Sequence, residues 1–319
     1  MISDPIETMI IGGKYGILLK ILVTGGAGFI GRNIVNFLLK ENQVVIYDNL
    51  SNCSKDDIEP LIQRGAFFVK GDVLDYQTLK KSILGFDLVI HLAAKSGVLD
   101  SIKNPEITTK VNVKGTENVM KCCVENKIKK FVFASSAAVY SDSENPINEK
   151  SETDSPSPYG KSKLAAEKII KDYSQKFQID AICLRMFNVF GKGQNAHYAG
   201  VITRFIENIL QGKPIEINGD GQQTRDFISI FDIIDPFECA IKKIDGKRGS
   251  IYNIGSGKSL TINQLAKIIE KVVGKEIKIN YLPQKNNEVR YSLADITLAK
   301  KELGFVAKRK LEDELKNLF

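Results

Sequence analysis

Tyr159 and Lys163 stand four residues apart in Ser157-Pro158-Tyr159-Gly160-Lys161-Ser162-Lys163. On a helix that spacing puts both on one face. A phenol titrates near pH ~10, too high for a base at neutral pH, and a neighbouring ammonium favours the phenolate. The pair therefore reads as a proton-transfer device in which Lys163 is expected to lower the Tyr159 pKa. Ser136, in Ala134-Ser135-Ser136-Ala137-Ala138-Val139-Tyr140, has a hydroxyl that could share a proton with that phenol. Each feature also has a plainer reading, a surface pair on a helix and a serine in a turn.

A second group concerns a ligand. Ile21-Leu22-Val23-Thr24 runs into Gly25-Gly26-Ala27-Gly28-Phe29-Ile30-Gly31, a glycine triplet between a strand pattern and a helix pattern. Gly25 permits the tight turn, Gly28 lets backbone approach a pyrophosphate, and Gly31 lets the helix pack closely on the strand. The helix N-terminus adds N–H donors and positive dipole. Seventeen residues after Gly31, Asp48 ends the next strand pattern. A carboxylate there accepts from the adenosine ribose and repels a 2′-phosphate, so the expected cofactor is NAD rather than NADP. The positive nicotinamide ring would also favour a Tyr159 phenolate.

These residues need a scaffold that brings strand ends together. Short apolar runs at Ile21–Thr24, Val44–Tyr47, Phe67–Val69, Leu88–His91, Phe131–Ala134 and Ala181–Leu184 suit strands buried on both faces. The longer segments between them suit crossover helices. The expected fold is α/β, a Rossmann doubly wound parallel sheet with a smaller C-terminal substrate-binding lobe. Residues 1–19 read as an extension, 20–190 as the NAD-binding domain and 191–319 as mainly the lobe. In the lobe, Gly191–Gly200 and Gly219-Asp220-Gly221 read as loops, Ile251–Ile254 and Ile277–Tyr281 as strands, and Thr261–Val273 and Ile296–Leu303 as helices.

Composition excludes other classes. No run among the 319 residues approaches the ~18 apolar positions of a membrane span. The first twenty residues carry Asp4 and Glu7 and break at Gly12-Gly13-Lys14, unlike a secretory signal. The net charge of +7 comes from 37 lysines against eight arginines, dispersed among acids, and a nucleic-acid surface would need a concentrated basic stripe. Cys53, Cys122, Cys123, Cys183 and Cys239 form no CxxC pair, which suits reduced thiols in the cytoplasm. With only His91 and His197, a histidine-based triad or zinc site is hard to assemble, and no metal is expected. His91 ends an apolar strand and reads as structural.

The motifs taken together resemble the extended short-chain dehydrogenase/reductases, and within them the UDP-glucose (UDP-galactose) 4-epimerases. The resemblance runs from Lys20 to about Phe305. It rests on Thr24–Gly31, Asp48–Asn52, Gly71-Asp72-Val73, His91–Ala94, Asn112–Thr116, Ser135-Ser136, Tyr159–Lys163, Leu184–Val189, Gly219–Phe227, Tyr252–Gly255 and Val289–Asp295. It implies that Ser136, Tyr159 and Lys163 are catalytic. It implies NAD contacts from Gly25, Gly28, Phe29, Ile30 and Gly31, and from Asp48, Asn49, Ser51 and Asn52. Asp72 and Val73 would meet the adenine, with Leu92, Ala93, Ala94, Ser96, Asn112 and Phe187 further along the cofactor and Asn112 near its nicotinamide end. Asn188, Val201, Arg225 and Arg290 would hold a UDP-sugar, with Ser136 on the sugar. In a chain so rich in lysine, Arg225 and Arg290 fall within these motifs, where a planar fork suits phosphate oxygens. The plainer alternative is a surface ion pair with Asp226 or Glu288. A homodimer through helices near 107–126 and 156–178 is also implied.

Departures narrow the reading. The family's sugar 4,6-dehydratases carry an Asp-Glu pair after the catalytic Ser/Thr, and this chain has Ala137-Ala138. The family's phosphate-binding arginine reads Lys285, and its following Gly-Asp pair reads Asn287 and Glu288. Lys95 stands where a neutral or acidic residue is commoner. Ser292 occupies the position that in the resembling epimerases gates sugar size, and a small residue there implies room for an N-acetyl group. The expected activity is C4 epimerisation of a UDP-hexose through a 4-keto intermediate. The alternatives are another nucleotide-sugar dehydratase, decarboxylase or reductase, or a non-catalytic NAD-binding regulator.

Overall fold

The computed structural model describes residues 18–194, 200–284 and 289–319. Most of the expected extension, His197, Lys285, Asn287 and Glu288 lie outside the described residues.

The first half alternates strand and helix as the apolar runs require. In order come β1 (Lys20–Thr24), α1 (Phe29–Leu38), β2 (Gln43–Asp48), α2 (Glu59–Gln63), β3 (Phe67–Lys70) and α3 (Tyr76–Ser82). Then follow β4 (Leu88–His91), α4 (Val98–Lys103), α5 (Pro105–Thr109), α6 (Gly115–Glu125), β5 (Lys130–Ser136), α7 (Pro158–Phe177) and β6 (Asp180–Met186). A π-helical turn, Lys110–Lys114, joins α5 to α6. The second half supplies β7 (Asn188–Phe190), α8 (Val201–Leu210), β8 (Ile215–Asn218), β9 (Thr224–Ser229), α9 (Ile230–Lys243) and β10 (Arg248–Ile254). It ends with β11 (Ser259–Thr261), α10 (Ile262–Val273), β12 (Ile279–Leu282) and α11 (Leu311–Lys316).

The main sheet runs β3-β2-β1-β4-β5-β6-β10, and every neighbouring pair is parallel. Strand order reverses at β1, which lies between β2 and β4, so a ligand crevice opens beyond the carboxyl ends there. One face buries Ile34 and Val35 of α1 with Ile233 and Phe237 of α9. The other buries Val119 and Cys123 of α6 with Ala166 and Ile170 of α7.

β10 overturns one expectation. Ile251–Ile254 was assigned to the lobe, yet it extends the main sheet by pairing with β6. With α9 also in the core of the first half, position 190 is no boundary between two cores. The reason is coverage: without β10, β6 would present an open edge of unpaired N–H and C=O groups. What remains as a lobe is β11-β9-β7 and β12-β8, with α8 and α10 burying Phe205, Leu265 and Ile269.

Candidate active site

The β1–α1 turn and the end of β2 form one side of an open cleft of about 300 Å³. Gly31 has no room for a side chain, since a Cβ there would meet the Gly25 carbonyl at 2.4 Å. Its absence lets α1 start directly over β1. Asp48 Oδ2 accepts from Ala27 N at 3.1 Å and Oδ1 from Leu50 N at 2.8 Å. Burial pushes the Asp48 carboxyl pKa up, and those two N–H groups oppose the shift. A carboxylate has about four acceptor sites, so both oxygens keep capacity for ribose hydroxyls. Asp72 is set beside it by Asn49 Nδ2 and Leu74 N, at 2.9 Å each. The glycine cradle and the acceptor set fit an adenine dinucleotide.

The cleft continues along Leu92, Ala93, Ala94 and Ser96 to Tyr159 and Lys163. α7 starts where the sequence says it should. Ser157 Oγ caps Gly160 N at 3.0 Å and Pro158 occupies the first turn. Gly160 is required, because a Cβ would stand 1.9 Å from the Ala138 carbonyl. That close approach brings Tyr159 against the turn after β5, where its phenol hydrogen bonds the Ser136 hydroxyl. Ser136 Oγ also accepts from Ala138 N at 3.1 Å.

The electrostatics depart from the sequence reading. Burial raises the Tyr159 pKa, with only the Ser136 bond pulling it down. Lys163 does not touch the phenol oxygen in this state. Its Nζ donates to the Ala134 carbonyl at 2.8 Å and lies 6.0 Å from the Tyr159 ring centre. Burial lowers the Lys163 pKa to about 8, against the opposing charge of Glu167. Of its three donors, the others remain for a ribose.

Asn112 and Phe187, both expected on the cofactor, sit behind the wall. Asn112 is buried and spends its amide on the Lys95 backbone and Ser162 Oγ. It holds the β4–α4 loop to α7. Phe187 is buried against Tyr140, and Met186 and Val189 line the cleft instead. His91 is structural, as expected. Thr116 donates to the Asn112 carbonyl at 2.6 Å, so its oxygen accepts from His91 Nε2–H, which leaves Nδ1 to accept from Thr24. Burial lowers its pKa to about 3.

Asn188, Val201 and Arg225 line an adjoining pocket of about 190 Å³ that shares Val189 and Gln194 with the first. Arg290 is not in it. Its guanidinium forms a two-pronged pair with Asp220, 2.8 Å on each side, rather than with Asp226. It borders a small recess with Asn218 and Gln223, which also line the larger pocket. Ser292 is likewise displaced: it is buried, its N–H on Thr224 Oγ1 at 3.3 Å, and it lines neither cleft.

Sequence reasoning offered Asp226 only as a surface ion-pair partner. It is buried and accepts from Ser256 N, Ser256 Oγ, Gly257 N and Ala294 N. It thereby ties β9 to two later segments. Its place beside Arg225 in a recognised motif was the available signal. Lys95, noted only as a departure, lines the cleft near Tyr159.

The model of the NAD dependent epimerase/dehydratase family matches residues 21–255. Among solved structures, UDP-N-acetylglucosamine 4-epimerase from Methanobrevibacter ruminantium, in complex with UDP-N-acetylmuramic acid, is 34% identical. The match covers 94% of this chain and 97% of that one, at a TM-score of 0.88. UDP-glucose 4-epimerase from Thermotoga maritima with UDP-glucose is 32% identical over 93% and 96%, also at 0.88. UDP-glucuronic acid 4-epimerase from Bacillus cereus, with UDP-glucuronic acid and NAD, is 32% identical over 93% and 97%, again at 0.88.

Proposed function

This chain belongs to the NAD-dependent epimerase/dehydratase family, and we propose that it inverts C4 of a UDP-hexose, taking both the glucose/galactose pair and the N-acetylated pair. Its class is that of an NAD-using UDP-sugar 4-epimerase. One arrangement carries the reading. Tyr159, bonded to Ser136, stands at the end of the dinucleotide cleft, and the pocket of Asn188, Val201 and Arg225 adjoins that cleft.

In this reading Tyr159 removes the proton of the sugar 4-hydroxyl and Ser136 bridges the transfer. Bound NAD supplies a reversible hydride acceptor, which allows C4 to pass through a ketone. Lys163 holds the nicotinamide ribose with its remaining donors, and its charge favours the Tyr159 phenolate. Arg225 and Asn188 anchor the diphosphate while the keto sugar turns its other face, and Tyr159 returns the proton. Ala137-Ala138 follow Ser136, so the second acid/base that elimination of water requires is missing there. The chain is read as a cytoplasmic homodimer through 107–126 and 156–178, which size-exclusion chromatography tests. No helix among the described residues is long and apolar enough to cross a membrane.

The deciding experiment incubates the purified protein separately with UDP-glucose, UDP-N-acetylglucosamine and UDP-glucuronate and identifies products by NMR. C4 epimers from the first two support the reading. A 4-keto-6-deoxy product or loss of carbon dioxide would replace it with dehydration or decarboxylation.

A further inference from the structure

Directly beneath the proposed reaction centre lies a buried ion pair that the proton transfer does not use. Glu167 follows Lys163 by one turn of α7, so the two share a face. Arg185 projects from β6, and both side chains are almost wholly enclosed, 3% and 4% exposed. Glu167 Oε1 accepts from Arg185 Nε at 2.9 Å and from Ser135 Oγ at 2.5 Å, while Oε2 accepts from Arg185 Nη2 at 2.6 Å. Ser135 is the residue before Ser136. Arg185 also lies over the Tyr140 ring at 4.7 Å.

A buried pair of this kind is weak evidence for stability, because well-packed apolar residues often do as well. Its position suggests another use. Lys163 is enclosed, and among the described residues no carboxylate pairs with its ammonium, which meets the Ala134 carbonyl and the Phe133 ring face at 4.7 Å. The charged or titratable groups around it are Tyr159 and Glu167 on α7, Cys183 and Arg185 on β6, and His91 on β4. Of these Glu167 is the neighbouring anion. His91 is neutral, and burial keeps the Cys183 thiol protonated.

We infer that Glu167 is a positioning residue for the reaction centre: it is the counter-charge of the Lys163 ammonium, and through Ser135 it fixes the end of β5 that carries Ser136. This rests on the assignment of Tyr159 and Lys163 to proton transfer. Arg185 holds the Glu167 carboxylate in place. Without the Glu167 charge, Lys163 loses its proton at lower pH, and a neutral Lys163 no longer favours the Tyr159 phenolate.

The test titrates the Lys163 ε-methylene by NMR in the NAD-loaded protein, its signal assigned by its absence in Lys163→Arg. Glu167→Gln should move the midpoint down by about one pH unit or more. It should also lower kcat at pH 7 about tenfold, leave KM for the UDP-sugar unchanged, and shift the acidic limb of the kcat profile upward. Breaking one side of a buried pair can prevent folding, so Glu167→Met with Arg185→Met provides a second arm, since it removes the pair without an orphaned charge. A downward shift is expected there too, smaller than with Glu167→Gln because the like charge of Arg185 leaves with the carboxylate. Ser135→Ala keeps the charge, and should lower kcat with no movement of the titration. A folded, NAD-loaded double variant whose Lys163 midpoint stays put overturns the inference and leaves the epimerase reading intact. Full turnover by Tyr159→Phe would instead undo the epimerase reading.

Discussion

Lys163 Nζ donates to the Ala134 carbonyl at 2.8 Å, while the Tyr159 ring centre lies 6.0 Å away. The ammonium is thus fixed by β5 and makes no contact with the phenol oxygen. Burial sets its pKa at about 8. Below that pH Lys163 is charged and, in the proposed mechanism, supports the phenolate; above it the charge is lost. Turnover should therefore fall as pH rises through about 8, and Lys163→Ala should cost ~10²–10⁴-fold and erase that limb. A profile flat to high pH would show that Lys163 does not titrate in catalysis.

Tyr159→Phe removes the acid/base and keeps the ring. Its kcat should drop by ~10²–10⁴-fold with KM little changed, because most substrate affinity is assigned to the nucleotide pocket. Circular dichroism should match the parent. Near-parental kcat takes Tyr159 out of the mechanism.

The protein should purify with nucleotide bound, since the proposed cycle returns what it borrows. Denaturation should release NAD(H), measured by chromatography. Gly31→Val puts a side chain where even a Cβ meets the Gly25 carbonyl at 2.4 Å, so it should lose the nucleotide and much stability. Recovery of NADP alone, or dependence on added cofactor for each turnover, contradicts the scheme.

Sugar size offers a fourth test. Ser292 lies buried with its N–H on Thr224, the residue before Arg225, which lines the adjoining pocket. A tyrosine outgrows the space that a buried serine fills, and the gate reading takes it to project toward the sugar. Ser292→Tyr should lose activity on UDP-N-acetylglucosamine and keep it on UDP-glucose, with thermal unfolding as the control for packing damage. Rejection of N-acetylated sugars by the unaltered enzyme ends the gate argument.

Asp226 makes stability depend on pH. Burial raises its pKa to about 6, although Ser256, Gly257 and Ala294 donate to it. The folded state then holds a proton that an unfolded aspartate, near ~3.9, has released. Between about pH 4 and 6 the folded protein is the better proton binder, so this group adds stability as pH falls through that window and loses the benefit above it. The span is roughly 1–3 kcal/mol. Asp226→Asn should flatten that part of the curve of melting temperature against pH; an unchanged slope assigns the titration elsewhere.

The strands, the glycine turn and the pairing of Tyr159 with Lys163 were legible in the chain because each depends on local pattern. Buried parallel strands demand unbroken apolar runs, the β1–α1 turn demands glycine where backbone approaches backbone, and an i, i+4 spacing fixes a helix face. The lining of the main cleft was legible for the same reason, apart from Asn112 and Phe187, whose side chains turn into protein. Pairings between distant segments were not. β10 joined the main sheet because the edge of β6 had to be covered, and Arg290 turned to Asp220 because a loop 70 residues away brought a carboxylate to it. The sign of the Tyr159 shift also belonged to the tertiary structure. The sequence supplied the ammonium four residues from the phenol, but only folding determined how much water both would lose, and burial raised the Tyr159 pKa against the Ser136 bond alone.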